Sequence, residues 1–123
     1  MFTILRFIII SSVILMTEMS WAINQEHLAK FKKTNMCLLC DLSKADFRNE
    51  NLENAVLRGT NLSGSNLNGA NLTNADLNGA NLIGADLSNA ILLDSDINWI
   101  RKDRTTKMCK TTMPDGTINR DCL

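Results

Sequence analysis

Two cysteine pairs carry the most reactive chemistry in this chain. Cys37 and Cys40 stand in a Cys-x-x-Cys spacing, and Cys109 and Cys122 flank a polar stretch near the C-terminus. A Cys-x-x-Cys can run thiol–disulfide exchange when one thiolate is stabilised. Four cysteines can also hold zinc, or form disulfides where the compartment is oxidising. The second pair has twelve intervening residues rather than the two to four of a zinc knuckle, so no metal site is expected. No βαβ pattern surrounds Cys37, so a structural bond is the expected role of that pair. Three pairings are open to four cysteines. The expected one is Cys109–Cys122 with Cys37–Cys40 as a second local bond; a cap-to-tail pairing would need the tail to run back along the chain.

Other candidate groups are sparse. His27 is the only histidine, and no Ser or Asp is placed to form a triad with it, so a solvent-facing role is expected. Asp76 and Asp96, with Asp94 nearby, could bind Ca²⁺ or do acid–base work. Acidic residues recur at that place in the pattern described below, which makes a dedicated site unexpected. No catalytic residue, cofactor or metal is assigned.

These groups must be positioned by a repeat. From Cys40 the chain reads CDLSK ADFRN ENLEN AVLRG TNLSG SNLNG ANLTN ADLNG ANLIG ADLSN AILLD SDINW, twelve pentapeptides without insertion. The central position holds Leu42, Phe47, Leu52, Leu57, Leu62, Leu67, Leu72, Leu77, Leu82, Leu87, Leu92 and Ile97, which form the expected core. Two residues earlier the side chain is small in every unit except the one that carries Glu50. Between them stands Asn or Asp, with Val56 and Ile91 as the exceptions. The last position is Gly or Asn in nine units, residues that tolerate left-handed backbone.

Period five fits no ordinary element. On a helix it precesses round the cylinder, and on a flat strand it flips every second Leu to the opposite face. A coil that bends once per unit solves both problems, with the small residue and the Leu both pointing inward. The pattern A-(N/D)-L-x-x resembles the pentapeptide-repeat family over residues 40–99. That resemblance implies an all-β fold, a right-handed quadrilateral parallel β-helix of four units per turn, here about three turns. Residues twenty apart would then stack.

The flanks are expected to differ. Residues 1–22 read as a secretory signal: Arg6, an apolar run over 7–16 broken by Ser11 and Ser12, then Ser20-Trp21-Ala22 with cleavage after Ala22. The run is too short to span a membrane, so no stable span is expected after cleavage. Residues 23–39 are expected to form a cap around a short amphipathic helix, with Leu28 and Phe31 three apart, Lys30, Lys32 and Lys33 around them, and Asn24 as its cap. Glu50 is placed near this cap, where a Lys or water would satisfy it. Past Trp99 the repeat is expected to stop. Residues 100–123 then form a tail in which Pro114-Asp115-Gly116 signals a turn between Cys109 and Cys122. The helix with Cys-x-x-Cys, and the tail, are similar to those of exported family members.

Charge separates the parts. Residues 41–99 carry eight acids and three bases, net −5, whereas 100–123 carry six bases and three acids, net +3. No polybasic tract speaks for nucleic acid. Outward apolar residues, Ile83 and Leu93 with Trp99 at the coil's end, are the candidate interaction patch, unless the tail covers them. The expected function is a non-enzymatic scaffold, periplasmic or secreted, with a protein partner. Two alternatives differ in class: a mimic of DNA that binds DNA gyrase, as some family members do, and a thiol–disulfide protein using Cys37 and Cys40. The export signal and three short turns depart from the first.

Overall fold

The computed structural model describes residues 24–122. The signal reading of 1–22 therefore lies outside the described residues. Two parts follow: a helix, α1, over 24–34, and a coil that runs from 35 to 115 with a short tail folded against its end.

The coil is fixed by parallel bridges twenty residues apart. Met36 pairs with Val56, Val56 with Asp76 and Asp76 with Asp96; the other three sides run Asp41–Asn61–Asn81–Arg101, Asp46–Asn66–Asp86–Lys107 and Asn51–Asn71–Ile91–Thr112. Four sides thus make one turn. Turn one spans 35–54, turn two 55–74, turn three 75–94 and turn four 95–115. At about 4.8 Å per layer, four layers stand roughly 19 Å tall. The coil is longer than the expected 40–99 at both ends. It gains a unit over 35–39, with Cys37 at the centre, and three units after Trp99. The step from Asp86 to Lys107 is twenty-one residues, because the second side of turn four has six residues, 100–105.

Eleven of the twelve units close with the same hydrogen bond. In the first of the twelve, the Ala45 N–H donates to the Leu42 carbonyl, and Lys44 between them has φ of 58°. All twelve units place their last residue in this left-handed region, whether it is Gly, Asn, Lys44, Asp94 or Trp99. Gly and Asn dominate there because other side chains crowd the backbone at positive φ. The Asn or Asp before each central residue has its own task. Its side-chain oxygen accepts the N–H two residues on, as Asp41 does from Ser43 at 3.0 Å and Asn66 from Asn68 at 3.1 Å. This Asx bond holds the bend from outside while the Leu fills the inside. The same residues also link layers, since Asn81 Nδ2 donates to Asn61 and Asn61 Nδ2 to Asp41.

The core is the column set expected. Eleven of the twelve central residues are buried, with Phe31 of α1 packed edge-on against Phe47 at 5.5 Å. Ile97 is only half-buried, since it lies in the last turn with no layer beyond it. Met108 and Met113 end two other columns, but Lys102, at the centre of the six-residue side, is exposed. Glu50 is exposed too, because turn one has no layer beneath it and α1 leaves that corner open.

α1 closes the first turn with side chains in place of a missing layer. His27 Nδ1 accepts the Asp41 N–H at 3.0 Å and Asn24 Nδ2 donates to the Ser43 carbonyl, while Asn35, the first residue of the coil, donates its Nδ2 to the Glu53 carbonyl. His27 is therefore a half-buried cap and not a solvent-facing group, and Asn24 serves the coil and not its own helix. His27→Ala should lower stability by about 1 kcal/mol, the lower end for an orphaned amide that water can partly reach. Urea unfolding checks this; no loss at all would mean that the ring is not a cap.

Candidate functional site

Both expected disulfides are present, Cys37–Cys40 and Cys109–Cys122. Cys37 and Cys40 are buried, and Cys37 fills a column position beneath Leu57. The Thr60 hydroxyl donates to the Cys37 carbonyl from the layer above. This pair ties the first side of turn one to the second. Buried sulfurs in that place are poorly set for exchange with an external thiol.

The acidic ladder is satisfied from within. Asp76 takes Arg58 Nε at 2.9 Å across one layer. Asp96 accepts the Asn98 backbone N–H and the Asn78 and Asn98 side chains, bonds that hold its carboxyl below the usual range. Asp94 sits at a different corner, closing the fourth side of turn three. Asp46, an exposed residue, is held at about 2 by the Arg48 side chain. Asp41 is lowered as well: partial burial pushes it up, but bonds from Ser43 and Asn61 and the nearby His27 outweigh that. Asp96, Asp46 and Asp41 each favour the charged form because a neighbour donates to the carboxylate. None of these three is poised to trade a proton near neutrality.

The outward apolar residues do not form the single patch expected. Ile83 lies on the second side of turn three and Leu93 on the fourth. Ten residues are half a turn in a twenty-residue coil, so the two face opposite ways. The tail does reach Leu93, whose Cδ1 faces Gly116 of the Pro114-Asp115-Gly116 turn. That turn is closed by the Gly116 N–H on the Met113 carbonyl at 2.9 Å. Ile83 is half-buried on its own side.

Trp99 belongs instead to a corner column that sequence reasoning missed. The column runs Leu39, Gly59, Gly79, Trp99, one residue per turn. Leu39 is 82% exposed and Trp99 85%. Both hold left-handed backbone, with φ of 53° and 59°. The Leu39 side chain lies over Gly59, where an added Cβ would come within 2.6 Å of its Cδ2. Met36 and Leu38, also exposed, extend the apolar surface along the first side of turn one. The signal was in the sequence: Trp99 and Leu39 occupy a position that holds Gly or Asn in nine of the twelve repeat units.

Comparisons with known proteins fit this geometry. A family model described as pentapeptide repeats matches residues 39–74 and 55–94, in 8 copies. Among solved structures, a pentapeptide repeat protein (Rfr23) from the cyanobacterium Cyanothece 51142 is 35% identical, with a TM-score of 0.50 over 58% of this chain and 56% of that one. The chain is a pentapeptide-repeat protein. Such proteins form right-handed β-helices. A second member, HetL from Nostoc sp. strain PCC 7120, involved in heterocyst differentiation regulation, is 33% identical, with a TM-score of 0.41 over 68% of this chain and 40% of its own. This pentapeptide-repeat protein thus spans about half the length of these solved neighbours. No curated protein sequence matches it.

Proposed function

We propose that this pentapeptide-repeat protein is an exported, non-enzymatic scaffold, a right-handed quadrilateral β-helix that holds a partner protein against its Leu39–Trp99 corner. The observation that carries the reading is the choice of residue at that corner. An L-residue in the left-handed region is disfavoured by roughly 1–2 kcal/mol. Strain of this kind concentrates at functional positions. Two large apolar side chains on one column, both exposed, are a surface waiting for cover.

Export is supported by the two disulfides, which belong to oxidising compartments, and by the leader-like residues 1–22. A protein partner is favoured over nucleic acid, since the sides of the coil carry an excess of acid. The satisfied carboxylates and the buried, bonded Cys37–Cys40 pair support a binding role over a catalytic one.

The test separates binding from folding. Trp99→Gly relieves the strained corner, so the thermal midpoint should hold or rise, by up to about 1 kcal/mol of added stability. Capture of partner proteins from the exported fraction by immobilised protein should fall sharply in the same variant and in Leu39→Asn. A Trp99→Gly protein that melts earlier would make Trp99 a structural residue. Equal capture by wild type and both variants would also sink the reading.

A further inference from the structure

The last turn holds a cleft that the repeat pattern does not foresee. It opens on the third side of turn four and has a volume of about 470 Å³. Its cause is the extra residue in 100–105. Asp103 absorbs that residue by accepting the Thr105 N–H at 2.8 Å and the Thr105 hydroxyl, while its carbonyl takes the Thr106 N–H. The loop so made stands out on one side. Opposite, the tail is pinned by the Thr112–Ile118 antiparallel bridge and by the Cys109–Cys122 disulfide. The cleft is the gap between loop and tail, with buried Met108 among its lining.

Three features of this gap point to one ligand chemistry. First, Lys102, Arg104 and Lys107 line it, and among the described residues none of them makes an ion pair. Second, of the two carboxylates in the lining, Asp103 is already engaged by Thr105, which leaves Asp121 as the remaining negative group. Third, a backbone donor is left over. In the lower turns the N–H at this column position donates to the layer above: Phe47 to Asn66, Leu67 to Asp86 and Leu87 to Lys107. Met108 has no layer above, and among the described residues nothing accepts from its N–H. An orphaned donor in a partly enclosed cleft, ringed by free cations, is the setting that an anionic oxygen satisfies. The volume falls within the range of small-molecule sites.

We propose that this cleft binds a small oxyanion-bearing molecule, carboxylate or phosphate, with one anionic oxygen on the Met108 N–H and its charge met by Lys102, Arg104 and Lys107. The site lies beyond the third side of the last turn, away from the start of the Leu39–Trp99 column. It stands whether or not that corner binds a protein.

Amide-detected NMR titration of the disulfide-intact protein, in low-salt buffer, tests it with inorganic phosphate and with citrate as probes. A saturable shift of the Met108 amide is expected with one probe or both, and the tighter probe identifies the anion class. Arg104→Glu and Lys107→Glu should each weaken binding by about tenfold, whereas the distant Lys44→Glu should not. Added sodium chloride should weaken binding in the wild type. Because the substituted side chains are exposed, a matching circular dichroism spectrum suffices to confirm that each variant is folded. No saturable shift at Met108 with either probe would overturn the proposal. So would equal affinity in the charge-reversed variants, which would mark any binding as diffuse.

Discussion

Leu72→Asp should leave the purified protein without a folded coil. Leu72 is fully buried on the fourth side of turn two, with Leu52 one layer below and Leu92 one layer above. Truncating such a residue to Ala removes apolar contacts and leaves a cavity, at a loss of about 2–5 kcal/mol. A carboxylate adds the burden of an unpaired polar group in an apolar column, a further several kcal/mol whether it stays charged or takes up a proton. The sum reaches the whole stability of a typical domain, about 5–15 kcal/mol. Far-ultraviolet circular dichroism and size-exclusion chromatography should show an expanded chain. Leu72→Ala serves as the graded probe, folded but with an early urea midpoint. A Leu72→Asp protein that melts like wild type would refute the inward column itself.

Opening the tail is the second large effect. Cys109 and Cys122 are thirteen residues apart, and a bridge that closes a loop of about this size stabilises by roughly 3 kcal/mol. The double variant Cys109→Ser, Cys122→Ser should lose about that much in urea unfolding. The loss should also be local. The tail is otherwise held by the Lys110 N–H on the Asn119 carbonyl, the Asn119 N–H on Thr111 and the Met113 N–H on Thr117. Without the bridge these bonds fray first, so the Lys110 and Met113 amides should exchange with deuterium well before Leu67 or Leu72. Retained protection at both amides would show that the hydrogen bonds hold the tail alone. The Cys37–Cys40 bond closes a far shorter loop and should contribute less.

Much of this architecture could be read from residue types, and the failures have physical reasons. The Leu columns and the left-handed corners follow from strict spacing, so positions 42 to 92 bury as expected. The unit over 35–39 escaped because its centre is Cys37, which does not read as a bulky aliphatic. The units after Trp99 escaped because Lys102 stands where a Leu should, and the six-residue side shifts the register by one. Met108 and Met113 are then at the right places, but only once the shift is known. His27 could not be assigned from sequence, since its partner, the Asp41 N–H, is brought to it by three-dimensional closure. The candidate surface fared differently. Ile83, Leu93 and Trp99 are alike in sequence as outward apolar residues, but the column of a corner residue is counted in twenties, and that count puts Leu39 with Trp99 and separates Ile83 from Leu93.

The twenty-residue step gives this molecule the behaviour of a screw thread. Deleting or inserting one pentapeptide preserves every inward Leu, yet rotates all that follows by a quarter revolution. Trp99 would leave the line of Leu39, and the basic end would swing to a new bearing relative to α1. Only changes of four units at a time keep both ends in their present alignment. Shape can therefore tolerate variation in the number of units far better than any pairing of surfaces between the two ends.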